Sequence, residues 1–227
     1  MNQLLLDLNH PHYPEFGRFL GEANAELRHV LHHEAAPFVY VWGPEGCGKG
    51  YLLRAWITRA QEYGAQAEYI DARLRSLPAW NVLPDCLAIH QAEHLDADGQ
   101  ARLFTLLNDF RSSGRGRLLV SAEMPPAEMP LREDVRTRLA MSLIYELKPL
   151  SDAEKISALA AMVEARQLSV DTEVFHYLLT HWRRDLDSLL DMLAKLEHHA
   201  MVHKRRISTA LLREVFKQEI AALQESI

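Results

Sequence analysis

The sequence predicts an α/β domain built on a five-stranded parallel sheet, followed by a small all-helical domain. Three observations carry this prediction. Five short apolar runs, rich in β-branched and aromatic residues, alternate with helical patterns or loops. A glycine-rich string joins the first run to the helix after it. From Ser151 onward the short runs stop and only helical periodicity remains.

The first run is "PFVYVW" (37–42), read as a buried strand. After the glycine string, "YLLRAWITRAQEYG" sets Leu52, Leu53, Trp56, Ile57 and Ala60 at helical spacing and stops at Gly64. The remaining strands are expected at 66–71, 86–90, 117–122 and 142–147. Between the third and fourth, "DADGQARLFTLLNDFRSSG" reads as a helix with Asp96 or Asp98 as its N-cap. Ser151 and Glu154 form the S-x-x-E pattern of a capping box, which opens a helix to about Gln167. Further helices fit 171–181, 184–202 and 208–225, with Ser208 capping the last. The expected organisation is a tail over 1–10, an α/β domain over 11–149 and a helical domain over 150–227.

The bulk properties narrow the function. The chain has 227 residues, 48% of them hydrophobic, 25% charged, with a net charge of −6. That balance fits a soluble globular protein and speaks against one built to coat nucleic acid. No apolar run reaches membrane-spanning length, and the N-terminus lacks the basic region of a signal peptide. Two cysteines, Cys47 and Cys86, are too few for a disulfide framework, so a reducing cytoplasm is the expected setting.

The chemistry concentrates in "GPEGCGKG", residues Gly43, Pro44, Glu45, Gly46, Cys47, Gly48, Lys49 and Gly50, with Tyr51 following. Gly43, Gly48 and Lys49 hold the register of the phosphate-binding G-x-x-x-x-G-K-[ST] loop, between a strand and a helix as that motif requires. Amides at a helix N-terminus and one lysine make an anion site. A plain glycine turn would not need Lys49 in that register. The residue after the lysine should be Ser or Thr, which binds magnesium, but here it is Gly50. The run "CLAIHQ" ends in His90 and Gln91 where two acidic residues belong. Both losses concern the same ion, so a nucleotide site without metal and without hydrolysis is expected. His90 and His94 are spaced i, i+4, but Gln91 stands where a zinc protease has its glutamate. A core or solvated histidine is the better reading, and no metal site is expected.

With these motifs in hand, the chain resembles AAA+ domains of the DnaA type, and most closely the Hda family of regulatory inactivators of DnaA. "FGRFLGEANAELRHVL", through Phe16, Phe19, Gly21 and Asn24, is similar to the family's leading segment, one residue shorter before the glycine. "LLVSAEMPP" resembles the sensor 1 strand, "DVRTRLAMSLIYELKPLSDAEKISAL" the arginine-finger segment and the start of the lid, "RRDLDSLLDML" the sensor 2 helix, and "KRRISTALLREVF" the last lid helix. The short form, with no helix-turn-helix expected after Ile227, is also what that family looks like.

The resemblance implies the following roles. Arg138 would be an arginine finger acting in trans on a partner's ATP. From the residues alone it pairs with Glu133 or Asp134 at helical spacing. Arg184, with Arg183 an alternative register, would be the sensor 2 arginine reaching the phosphates. "QLLLDL" resembles the peptide that docks on the DNA polymerase III sliding clamp (beta subunit), through Gln3, Leu4, Leu6 and Leu8, although Asp7 replaces a frequent proline. The implied partners are the clamp and the DnaA initiator, with a homodimer also open. No sequence-specific DNA binding is implied. The implied cofactor is ADP or a related nucleotide, or none, without magnesium. The alternatives are an ordinary AAA+ ATPase acting as a loader or remodeller, and a non-catalytic DNA-bound adaptor.

Overall fold

The computed structural model describes residues 21–33 and 37–225. All five expected strands are present: β1 (Phe38–Trp42), β2 (Ala67–Asp71), β3 (Cys86–His90), β4 (Arg117–Ala122) and β5 (Leu143–Glu146). They form one parallel sheet in the order β2-β3-β4-β1-β5. Parallel neighbours require crossovers, so helices cover both faces. The interior strand β1, flanked by β4 and β5, therefore reads as a continuous apolar run, with Tyr40 and Val41 fully buried.

The period-2 alternation of β1 divides the core in two. Val39 and Val41 face one side, with Ala88 and Leu119, and pack against α2 (Lys49–Glu62) through Leu52, Leu53 and Trp56. Tyr40 faces the other side with Leu87, Ile89, Leu118 and Val120. There it meets α3 (Ala97–Ser113) through Leu103, Leu106 and Phe110, and α4 (Glu133–Leu139) through Val135 and Leu139. Of the two candidate caps for α3, Asp96 does the work: its carboxylate accepts from the Gly99 N–H at 2.7 Å.

The C-terminal domain is four helices: α5 (Asp152–Ala165), α6 (Thr172–His181), α7 (Leu186–His203) and α8 (Thr209–Glu225). The Ser151–Glu154 capping box forms in full. A parallel bridge, Val170 to Ile207, joins two of the loops. The first core layer runs on into this lid through Leu159, Leu178, Leu189, Leu193 and Leu212, so body and lid share one apolar interior.

The leading helix α1 (Ala25–His32) is pinned at the joint between the two parts. The buried Asn24 side chain donates to Lys148 O at 3.0 Å and accepts from Lys148 N at 2.9 Å. The Glu154 carboxylate, besides completing the capping box, accepts from the Glu22 N–H at 3.3 Å. Among the described residues, no helix is long and apolar enough to cross a membrane.

Candidate functional site

The glycine string turns from the C-terminal end of β1 into α2. Gly46 (φ 74°) and Gly48 (φ 101°) take left-handed backbone conformations that a side chain disfavours. At Gly46 space is short as well: a Cβ there would lie 2.5 Å from Asp185 Cβ. Asp185 caps α7, accepting from Ser188 N at 2.8 Å, so the N-cap of this lid helix sits directly on the loop. Lys49 is buried, and its ammonium donates to Gly43 O at 2.6 Å and Pro44 O at 2.8 Å.

In front of the loop lies an open cleft of about 500 Å³. The loop from Glu45 to Gly50 forms one wall. The strand ends supply the floor: Asp71 from β2, His90 from β3 and Gln91 just after it. Arg54 and Arg73 enter from the side, and Arg183, Asp185 and Ser188 from the lid. Beside it, a recess lined by Asn24, Cys47, Tyr51, Leu147 and Leu186 holds only about 10 Å³, barely room for one water.

The sheet register explains the floor. Asp71 pairs with His90 across β2 and β3, and Ser121 lies near the end of β4 on the other side. His90 Nδ1 is 2.7 Å from Ser121 Oγ. Burial pushes its pKa down to about 4; Asp71 opposes this, while Lys49, Arg54 and Arg73 add to it. His90 is therefore neutral at physiological pH. Gln91 follows in a left-handed conformation at φ 55°, 5% exposed, with Oε1 lacking a hydrogen-bond partner.

These groups do not fit magnesium, which takes oxygen ligands and most often carboxylates. Gly50 offers no side chain, and His90 is committed to Ser121. The Asp71 carboxylate accepts from Arg73 N at 3.0 Å and has the Arg73 guanidinium 4.0 Å away. Glu93, beyond Gln91, turns to the Glu123 N–H at 3.1 Å instead. Among the described residues, no group of three or more His, Cys, Asp or Glu side chains is placed to hold a metal ion.

The expected site residues separate. Gly46, Gly48, Lys49 and Gly50 line the cleft with Glu45; Gly43 and Pro44 hold the lysine; Cys47 and Tyr51 line the recess. The two lid arginines part company, against the register first assigned. Arg183 lines the cleft, whereas Arg184 donates to Leu179 O at 3.2 Å and lies 3.9 Å from Asp152. The reason is local: Arg183 and Arg184 fill a non-helical step between α6 and the Asp185 cap, where neighbouring side chains point opposite ways. Arg138, in the last turn of α4, does not line this cleft. It has no ion pair among the described residues, because Asp134 bonds Arg132 at 2.6 Å; its guanidinium lies 5.4 Å over the Phe104 ring. Gln3, Leu4, Leu6 and Leu8 lie outside the described residues, as do Phe16 and Phe19.

Sequence reasoning missed Arg54, Arg73, Ser121 and Asp185. Arg54 was within reach, since it follows Gly50 by four residues on one helix and so shares its face. Asp185 was too, as the first residue of the D-x-x-S start of α7. Arg73 and Ser121 needed the strand order.

A parallel sheet in this order, a phosphate-type loop after β1 and a helical lid seated on the loop define an AAA+ module. Residues 152–216 match the family described as "Hda, lid domain". Domain III of the replication initiation protein DnaA from Thermotoga maritima superposes with a TM-score of 0.70 and 18% identity, covering 92% of this chain and 97% of its own. AMPPCP-bound DnaA from Aquifex aeolicus gives a TM-score of 0.62 at 15% identity, covering 81% of this chain and 65% of its own. A solution structure of a Neisseria meningitidis protein is 48% identical over 62% of this chain and 95% of its own, with a TM-score of 0.46. Over residues 152–216 the helical part matches the Hda lid family, and the chain as a whole shares the fold of DnaA domain III.

Proposed function

We propose that this chain is a regulator of replication initiation that makes DnaA hydrolyse its ATP. It docks on the DNA polymerase sliding clamp through Gln3, Leu4, Leu6 and Leu8 and offers Arg138 to the γ-phosphate held by DnaA. Its own cleft binds ADP or a related nucleotide without turning it over. That occupancy sets how the lid sits against the body. The single observation that supports this reading most is Arg138. It is partly exposed, free of the Asp134 partner that helical spacing offers, and absent from its own chain's cleft. A guanidinium so presented can enter a neighbouring AAA+ site, where it neutralises charge that develops only in the transition state.

The test is hydrolysis of DnaA-bound ATP with this protein and clamp loaded on DNA. The reading requires stimulation by the wild-type chain and negligible turnover by the chain alone. Magnesium-dependent turnover by the isolated protein, abolished by Lys49→Ala, would make it an ATPase in its own right instead.

A further inference from the structure

We propose that the cleft is a diphosphate site that works without divalent cations, with Arg54 and Arg73 supplying the positive charge that P-loop enzymes draw from magnesium. The inference rests on reading the cleft as a nucleotide site and goes further, by naming what replaces the metal.

Three observations converge. The first is the donor set. The positions that would hold magnesium are Gly50, a histidine bound to Ser121, and a glutamine. The one carboxylate on the floor, Asp71, is held by Arg73. The second is where the arginines lie. Arg54 stands one helical turn beyond Gly50, on the same face of α2. Arg73 stands two residues past the end of β2, beside the strand that ends in His90. Both line the cleft into which Gly46, Gly48 and Gly50 open. Each guanidinium stays charged and can hold two phosphate oxygens at once. The third is Gln91. Its side chain is buried on the floor of the cleft with Oε1 unpartnered. An unsatisfied buried amide costs free energy unless something binds it. Oε1 is an acceptor and calls for a donor; with the amide turned by 180°, Nε2 takes that place and can donate to a phosphate oxygen.

Charge supports an anion. Lys49, Arg54, Arg73 and Arg183 line the cleft against Glu45, Asp71 and Asp185, with His90 neutral. Asp71 is already matched to Arg73, and the Asp185 carboxylate is taken up by capping α7. Lys49 is bound to two loop carbonyls. A diphosphate must compete with those carbonyls for the ammonium and with Asp71 for the Arg73 guanidinium.

The experiment is calorimetric titration of the full chain with ADP, and separately with inorganic pyrophosphate, in excess EDTA and in excess magnesium. Equal affinity for a probe in both buffers, within about threefold, is the expected result. In EDTA, Arg54→Gln and Arg73→Gln should each weaken binding by about tenfold, the loss of one charge-assisted contact. The Arg54 guanidinium lies 5.1 Å over the Tyr69 ring; Arg54→Lys, which keeps a positive charge there, should recover part of it. Binding of pyrophosphate as tight as ADP identifies the phosphates as the recognised group; tighter ADP adds the nucleoside. Either agrees with the proposal. Affinity that rises tenfold or more with magnesium overturns it. So do glutamine variants that bind like the wild type with unchanged melting. Absence of heat from both probes overturns it together with the nucleotide-site reading. Stimulated hydrolysis in DnaA, measured separately through Arg138, reports on the regulatory role and is independent of that outcome.

Discussion

Replacing Gly46 by alanine tests whether the lid is seated on the glycine loop. The new Cβ would lie 2.5 Å from Asp185 Cβ and 3.4 Å from its Cα. Carbon atoms pack at about 3.5–4.0 Å, so the start of α7 must retreat by about 1 Å. Three costs combine. A left-handed alanine costs about 1–2 kcal/mol. Crowding a packed junction costs about 1–3 kcal/mol, and disturbing the Asp185 cap about 1 kcal/mol. The expected loss is about 3 kcal/mol after partial relaxation. Gly64→Ala is the internal control. Its φ is 81°, close to that of Gly46, yet nothing lies within 4 Å of its Cβ position. It therefore bears the backbone cost without the collision, about 1 kcal/mol. Urea unfolding of both variants reads the difference. For a chain of this size each kcal/mol moves the melting temperature by about 2–4 °C. The shift for Gly46→Ala should be at least twice that for Gly64→Ala. Equal losses would mean that the Asp185 cap does not press on the loop, and the linkage of site to lid would fail.

Other consequences follow from single contacts. Asn24→Ala removes both bonds to the Lys148 backbone and should cost about 2–3 kcal/mol in urea unfolding, because two inward-facing backbone groups lose their partner. His90 should give a signature in acid. Its folded pKa of about 4 lies below the ordinary 6.5, so the unfolded chain takes up the proton first. Stability is complete above about pH 6.5 and falls between pH 6.5 and 4, by at most about 3 kcal/mol from this group. His90→Gln should flatten that part of the wild-type curve; an unchanged slope would show that His90 is not the group responsible. Replacing Gln3 and Leu6 by alanine should abolish clamp binding in a pull-down or by surface plasmon resonance, whereas retained affinity would place the docking surface elsewhere.

Much of the fold was legible because local signals agreed with the global arrangement. The run "PFVYVW" is apolar throughout because β1 lies between β4 and β5 and is covered on both faces. Ser151 and Glu154 announced their capping box, and Gly114 ended α3 as a left-handed cap. The site was half legible. The loop is contiguous in sequence, so its residues identified themselves by spacing. The cleft is not contiguous. It forms where strand ends from different parts of the chain lie side by side, so Arg73 and Ser121 join His90 only through the strand order. The choice between Arg183 and Arg184 turned on which residue caps α7. A one-residue difference in a non-helical step reverses the direction of a side chain, and no periodicity records it.

The central claim is that Arg138 acts in trans on ATP held by DnaA. The direct measurement is the rate of DnaA-bound ATP hydrolysis, with clamp on DNA, stimulated by wild type, Arg138→Ala and Arg138→Lys, beside the melting of each variant. The Phe104 contact, at 5.4 Å on a partly exposed surface, contributes at most about 1 kcal/mol of stability. The alanine protein should therefore fold and bind clamp normally, while stimulation falls by a factor of about 10³ or more. Lysine should restore little, since a point ammonium lacks the planar two-donor fork. Undiminished stimulation by a well-folded Arg138→Ala protein would contradict the account.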